Sequence, residues 1–172
     1  MNLIEFQDYP STETPLNASN LNQVQTNVKE EFDIRGNAIE ASMSTAQNIT
    51  GTDQSKVKFD EVKVQSGELL TLDNNGIKIG KGISTILVNY TLWIENNGGY
   101  ASVHVYKNNE QLTYNIQPQK YLDAWNVNSG SKLINVKEGD AIYIYVRFST
   151  GDSGNKVAKY GNSNRLIVSV IS

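Results

Sequence analysis

The chain contains no cysteine, which removes disulfides and thiolate metal sites together. It has one histidine, His104, and three prolines, two of them close together at Pro10 and Pro15. No apolar run approaches the ~20 residues needed to span a bilayer. The opening Met1–Phe6 has neither the basic start nor the long apolar stretch of a secretion signal. Charge of one sign is also lacking: 15 Lys and Arg against 18 Asp and Glu leave a net charge of -3. That balance gives no basic footprint for nucleic acid. These absences predict a protein made and assembled in a cytoplasm, with neither membrane nor nucleic acid as partner. What is plentiful is asparagine, which with Gly, Ser and Thr suits a β-rich protein with many tight connections. At 172 residues there is room for one domain and an appendage, and a core of roughly 110 residues folds without staples.

The first residues read as an extended arm leading into a helix. Pro10 and Pro15 keep residues 1–16 out of helical geometry. Asn17 can cap the helix that follows, and Leu16 and Leu21 stand at hydrophobic-staple positions. From Leu21 the apolar or semi-apolar positions are Leu21, Val24, Val28, Phe32, Arg35, Ile39, Met43 and Ala46, in steps of three or four. Three plus four plus four favours a nearly straight or slightly right-handed bundle. One narrow stripe buries nothing alone, so a helical stalk over 17–50 calls for partner helices; the alternative is a helix lying on its own domain. Gly36 and the off-pattern Ile34 are points where the helix could break or kink. Residues 51–56 read as a linker.

From Val57 the period changes to two. Strand-like runs occur at Val57–Val64, Leu70–Leu72, Ile86–Ile94, Ala101–Val105, Leu112–Ile116, Leu133–Val136, Ala141–Phe148 and Leu166–Ile171, separated by turn residues such as Asn74-Asn75-Gly76. Short strands at this spacing predict an antiparallel sandwich or barrel over 57–172, expected to supply its own core. In the run to Phe148, Ile142, Ile144, Val146 and Phe148 form one face. The opposite face carries Tyr143 and Tyr145, where a solvated sheet is usually more polar, and amphipathic tyrosines suit a subunit contact.

Two resemblances bear on identity. The run from Asp8 to Asn22, with Thr14-Pro15-Leu16-Asn17-Ala18-Ser19-Asn20-Leu21-Asn22 at its end, resembles the N-terminal segment of bacteriophage tail-fibre, baseplate and head-fibre proteins. It implies that Phe6, Tyr9, Pro10, Pro15, Leu16, Asn17, Asn20 and Leu21 hold the chain to a particle. The run Phe59 to Ile83, the later Val105-Tyr106-Lys107-Asn108-Asn109 and Val136-Lys137-Glu138-Gly139-Asp140 are similar to phage fibre heads related to tumour-necrosis-factor and complement-type jelly rolls. These imply a mainly β protein with an N-terminal helix: a trimeric α-helical stalk followed by an antiparallel jelly-roll β-sandwich. Leu21, Val24, Val28, Phe32, Ile39, Met43, Tyr143 and Tyr145 would form the trimer interface.

Chemistry is sparse. His104 lies on the face opposite Val103 and Val105 with Ser102 two residues away, and a partly exposed strand histidine is the expectation. Asp123, Glu138, Asp140 and Asp152 could form a glycosidase pair, but each has an ordinary turn or capping explanation. Asp152–Asn155 lacks the acidic spacing of a calcium loop. Gly76–Gly82 lacks the spacing and following helix of a phosphate loop. No catalytic residue, metal or cofactor is implied. The best binding candidate is Tyr114–Ser129, where Tyr121, Asp123, Trp125 and Asn126 join aromatic faces to polar groups that suit a sugar; the alternative is that Tyr121 and Trp125 pack against the sandwich or a neighbouring subunit. The expectation is a non-enzymatic homotrimeric virion-surface fibre that contacts bacterial surface polysaccharide and sits on capsid or baseplate proteins. The alternative is an architectural decoration or adaptor with no host ligand.

Overall fold

A computed structural model describes residues 18–95, 99–118, 125–150, 154–157 and 164–172. Helix α1 (Ala18–Arg35) is followed by β1 (Ala38–Ser42), β2 (Gln47–Asn48), β3 (Ser55–Lys56), β4 (Glu61–Ser66), β5 (Leu70–Asp73), β6 (Gly76–Ile79) and β7 (Thr85–Glu95). Then come β8 (Tyr100–Lys107), β9 (Glu110–Pro118), β10 (Trp125–Asn135), β11 (Ala141–Phe148), β12 (Lys156–Val157) and β13 (Arg165–Val170).

The strands make two antiparallel sheets. In the first, β4 pairs with β1, β1 with β13, β13 with β7, and β7 with β10, while β2 and β12 extend the β1–β13 ladder beside the far end of β7. The second runs β5-β6-β11-β8-β9, with β3 also paired to β11. Alternation explains the core. Ile86, Val88, Leu92 and Ile94 of β7 and Leu166 and Val168 of β13 face Val103 and Val105 of β8 and Ile142, Ile144, Val146 and Phe148 of β11, all buried. The Asn74-Asn75 turn has positive φ at both residues, 48° and 63°, which is what a two-residue hairpin connection demands.

The helix is shorter than the stripe predicts. It stops at Arg35, and residues 38–42 form β1 between β13 and β4. Ile39 and Met43, expected on a trimeric stalk, are instead buried in the sandwich core. The described helix, Ala18–Arg35, therefore ends well short of the expected residue 50. The sandwich begins at β1 rather than at Val57, and the expected linker 51–56 contains β3. Asn37 makes the joint. Its Nδ2 donates to the carbonyls of Asp33 (2.7 Å) and Ile34 (3.0 Å), closing the helix end, and its Oδ1 accepts from the Leu69 amide at 2.9 Å. Its own carbonyl accepts from the Val170 amide at 3.0 Å. Off-stripe Ile34 packs on the core, so the helix meets the sandwich through Ile34 and leaves the stripe outward.

Candidate functional site

On the helix, Val24, Val28 and Phe32 are exposed, Phe32 at 66%, Leu21 is half-buried, and Asn20 is exposed. Intrahelical pairs, Lys29 with Asp33 and Arg35 with Glu31, support the polar faces by a few tenths of a kcal/mol each, about 0.2–0.5. Phe6, Tyr9, Pro10, Pro15, Leu16 and Asn17 lie outside the described residues, as do Tyr121 and Asp123. Trp125 opens β10 opposite Glu95, and its side chain also lies outside the description; Asn126 pairs with Ile94 and is half-buried.

Tyr143 and Tyr145 have partners within the chain. The ammonium of Lys56 sits 3.9 Å from the Tyr143 ring centroid. The Tyr145 ring lies 4.7 Å from that of Tyr106, tilted by 51°. Burial and the neighbouring Tyr106 and Tyr143 phenols raise the Tyr145 pKa, so its hydroxyl stays protonated. Gly76 is required beneath this row, because a methyl there would collide with the Tyr143 ring and the Ile142 carbonyl.

Beside the tyrosines, Ser102 and His104 are buried, at 4% and 6% exposure, which corrects the expectation of a partly exposed histidine. Gln54 crosses over them. The Tyr106 hydroxyl donates to Gln54 Oε1, so the Gln54 amide nitrogen faces His104 Nδ1 at 3.5 Å and Gln111 Oε1 at 3.2 Å. His104 Nε2 lies 2.8 Å from Ser102 Oγ, and Ser102 donates to the Arg147 carbonyl at 3.4 Å. Burial lowers the His104 pKa, a hydrogen bond with Gln111 opposes this, and Arg147 adds to it.

Asp140 is a turn clamp. Its carboxylate accepts from Asn108 Nδ2 (2.8 Å) and the Lys137 amide (3.0 Å), and Asn108 Oδ1 accepts from the Ala141 amide at 2.9 Å. Burial opposes ionisation, but those two hydrogen bonds and the nearby Lys107 and Lys137 charges hold its pKa below the usual carboxylate value.

The outward face of the first sheet carries a surface that the sequence reading missed. Register pairs Leu87 with Leu133 and Trp93 with Val127, and between them Asn89 with Ser131 and Thr91 with Ser129. Leu133 is 61% exposed, and Val127, Val64 and Ile171 are exposed with it. The available signal was Leu87 and Trp93, apolar residues at the positions of β7 that alternation puts outside.

The architecture matches known folds. A murine APRIL crystal structure aligns with TM-score 0.63 over 78% of this chain and 98% of that one, at 12% identity. Eiger TNF from S. frugiperda aligns with TM-score 0.60 over 79% and 91%, at 13% identity. The sandwich is a tumour-necrosis-factor-like jelly roll. No family model matches the sequence, and neither does any curated protein.

Proposed function

We propose that the chain is a non-enzymatic structural protein of a bacteriophage particle, a homotrimer whose N-terminal arm is held by capsid or baseplate proteins and whose jelly-roll head stands on the virion surface and contacts host glycans. The observation that carries the assembly is the outward stripe of Val24, Val28 and Phe32, set off the sandwich by the Asn37 joint. A stripe of this kind is stable when other copies cover it. The apolar pairs Leu87–Leu133 and Trp93–Val127 supply a second patch for the same closed, symmetric contact. Tyr143 and Tyr145 are left out of this interface, because β11 belongs to the second sheet and the apolar pairs lie on the first.

Anchoring by Phe6, Tyr9, Pro10, Pro15, Leu16, Asn17, Asn20 and Leu21 rests on the resemblance of that run to phage fibre proteins. Host contact through Tyr121, Asp123, Trp125 and Asn126 rests on their aromatic and amide chemistry, with three copies per trimer raising avidity. Reconstitution on fibre-less particles tests the mount: the full chain incorporates and a chain lacking residues 1–17 does not. Adsorption of purified trimer to host cells tests host contact, and trimer that decorates particles but never adsorbs would make the protein an architectural adaptor.

A further inference from the structure

The outward face of the second sheet is an unassigned surface with a consistent chemistry. Along β11 stand Tyr143, Tyr145 and Arg147, and beside them on β8, in register, Tyr106, His104 and Ser102. Lys56 pairs with Tyr145 from the other side and lays its ammonium over Tyr143. Gln54 and Gln111 add amides at the margin. Arg147 gives its Nε–H to the Thr52 carbonyl at 2.9 Å. Among the described residues neither Lys56 nor Arg147 forms a salt bridge, whereas Lys63, Lys156 and Arg165 are each paired with a glutamate. Lys56 and Arg147 therefore set two cations at the ends of a row of three tyrosines, with exposed Asp53 in the neighbouring loop.

We infer that this face binds an acidic polysaccharide, with the saccharide chain lying along β11 so that its carboxylate or phosphate groups meet Lys56 and Arg147 and its rings lie on the tyrosines. The charges select the class. An acidic polymer gains from both cations, and a guanidinium whose terminal nitrogens meet no carboxylate among the described residues suits planar anions. The rings supply flat surface of the kind that buries the apolar side of a sugar, while phenol and amide groups meet hydroxyls. Tyr143 and Arg147 are four residues apart on one strand, or about 13 Å, so the cations span more than one sugar unit. The inference deepens the glycan-contact reading above and rests on it for its biological sense.

The test is calorimetric titration of full-length protein with short oligogalacturonates and, in parallel, with neutral maltooligosaccharides. Binding of the acidic series, weakened by salt, is expected, with at least tenfold loss in the double variant Lys56→Gln/Arg147→Gln and none in the charge-matched surface variant Lys58→Gln/Lys81→Gln. Melting temperature and particle mass of both variants should match the parent. Absence of binding by the parent, equal loss in both variants, equal affinity for the neutral series, or an altered oligomer mass in Lys56→Gln/Arg147→Gln would each overturn the proposal; the last would make the face a contact between copies. Cell adsorption separates the two levels. Adsorption unchanged by Lys56→Gln/Arg147→Gln removes this site and leaves the host-contact reading standing, whereas oligogalacturonate binding by a trimer that never adsorbs to cells removes the host-contact reading.

Discussion

The side chain of Asn37 occupies the space that a β-carbon on Gly67 would need. Gly67 also has φ of +72°, a conformation that side chains resist. The pair fastens the end of α1 to the connection between β4 and β5, through the Asn37 bond to the Leu69 amide. Asn37 is only 3% exposed, so its loss strands buried donors and acceptors.

Asn37→Ala should therefore destabilise the protein by about 1–3 kcal/mol, and Gly67→Ala by a similar amount through strain and collision. Chemical denaturation measures both. An unchanged midpoint in the two variants would mean that the joint is not formed as described.

The boundary at β1 sets the smallest folding unit. A chain beginning at Val57 lacks the strand that lies between β13 and β4, together with the buried Ile39, Ala41 and Met43. It should fail to fold, whereas a chain beginning at Asn37 should give the β-rich circular dichroism spectrum of the sandwich. A cooperative melt from the Val57 chain would contradict the assignment of β1 to the core.

His104 gives the stability a pH dependence. Burial depresses its folded pKa below the ordinary histidine value of 6.5, so below that value the unfolded chain takes up a proton that the folded chain resists. Its contribution is fully present above pH ~6.5 and is lost as the pH falls toward the folded pKa. Asp140, also depressed, acts in a more acidic window, below its ordinary value of 3.8. His104→Gln should flatten the fall in melting temperature between about pH 7 and pH 5. A slope identical to the parent would show that His104 is not the group responsible.

Much of the sandwich was legible because its signals are local. Ile142 to Phe148 and Ile86 to Ile94 alternate cleanly, and Asn74-Asn75 requires the turn it makes. The stretch from Ala38 to Met43 was not. Ile39 and Met43 continue the helical spacing, and Ala, Glu and Met favour helices; only pairing with β13, more than a hundred residues later, decides for a strand. The tyrosines opposite the Ile142–Phe148 face were legible as an anomaly, but their partners Lys56 and Tyr106 come from other strands. The exposed face of the first sheet stayed hidden because Asn89, Thr91, Ser129 and Ser131 interrupt its apolar residues and make it read as a solvated face.

The apolar stripe on α1 adds nothing to the buried core, since no residue of the helix is buried in the single chain. Phe32→Ser with Val28→Ser should leave the melt of the sandwich nearly unchanged at high dilution and lower the oligomer mass. Leu133→Ser should act in the same direction through the sheet. A drop in the melting temperature without a change in mass would instead place these residues in contacts within one chain.

The central claim is assembly into a closed trimer. Light scattering on the full-length chain at low micromolar concentration tests it most directly. The account predicts a mass of three chains for the parent and a lower mass for Val28→Ser/Phe32→Ser; a parent that scatters as a single chain would contradict it.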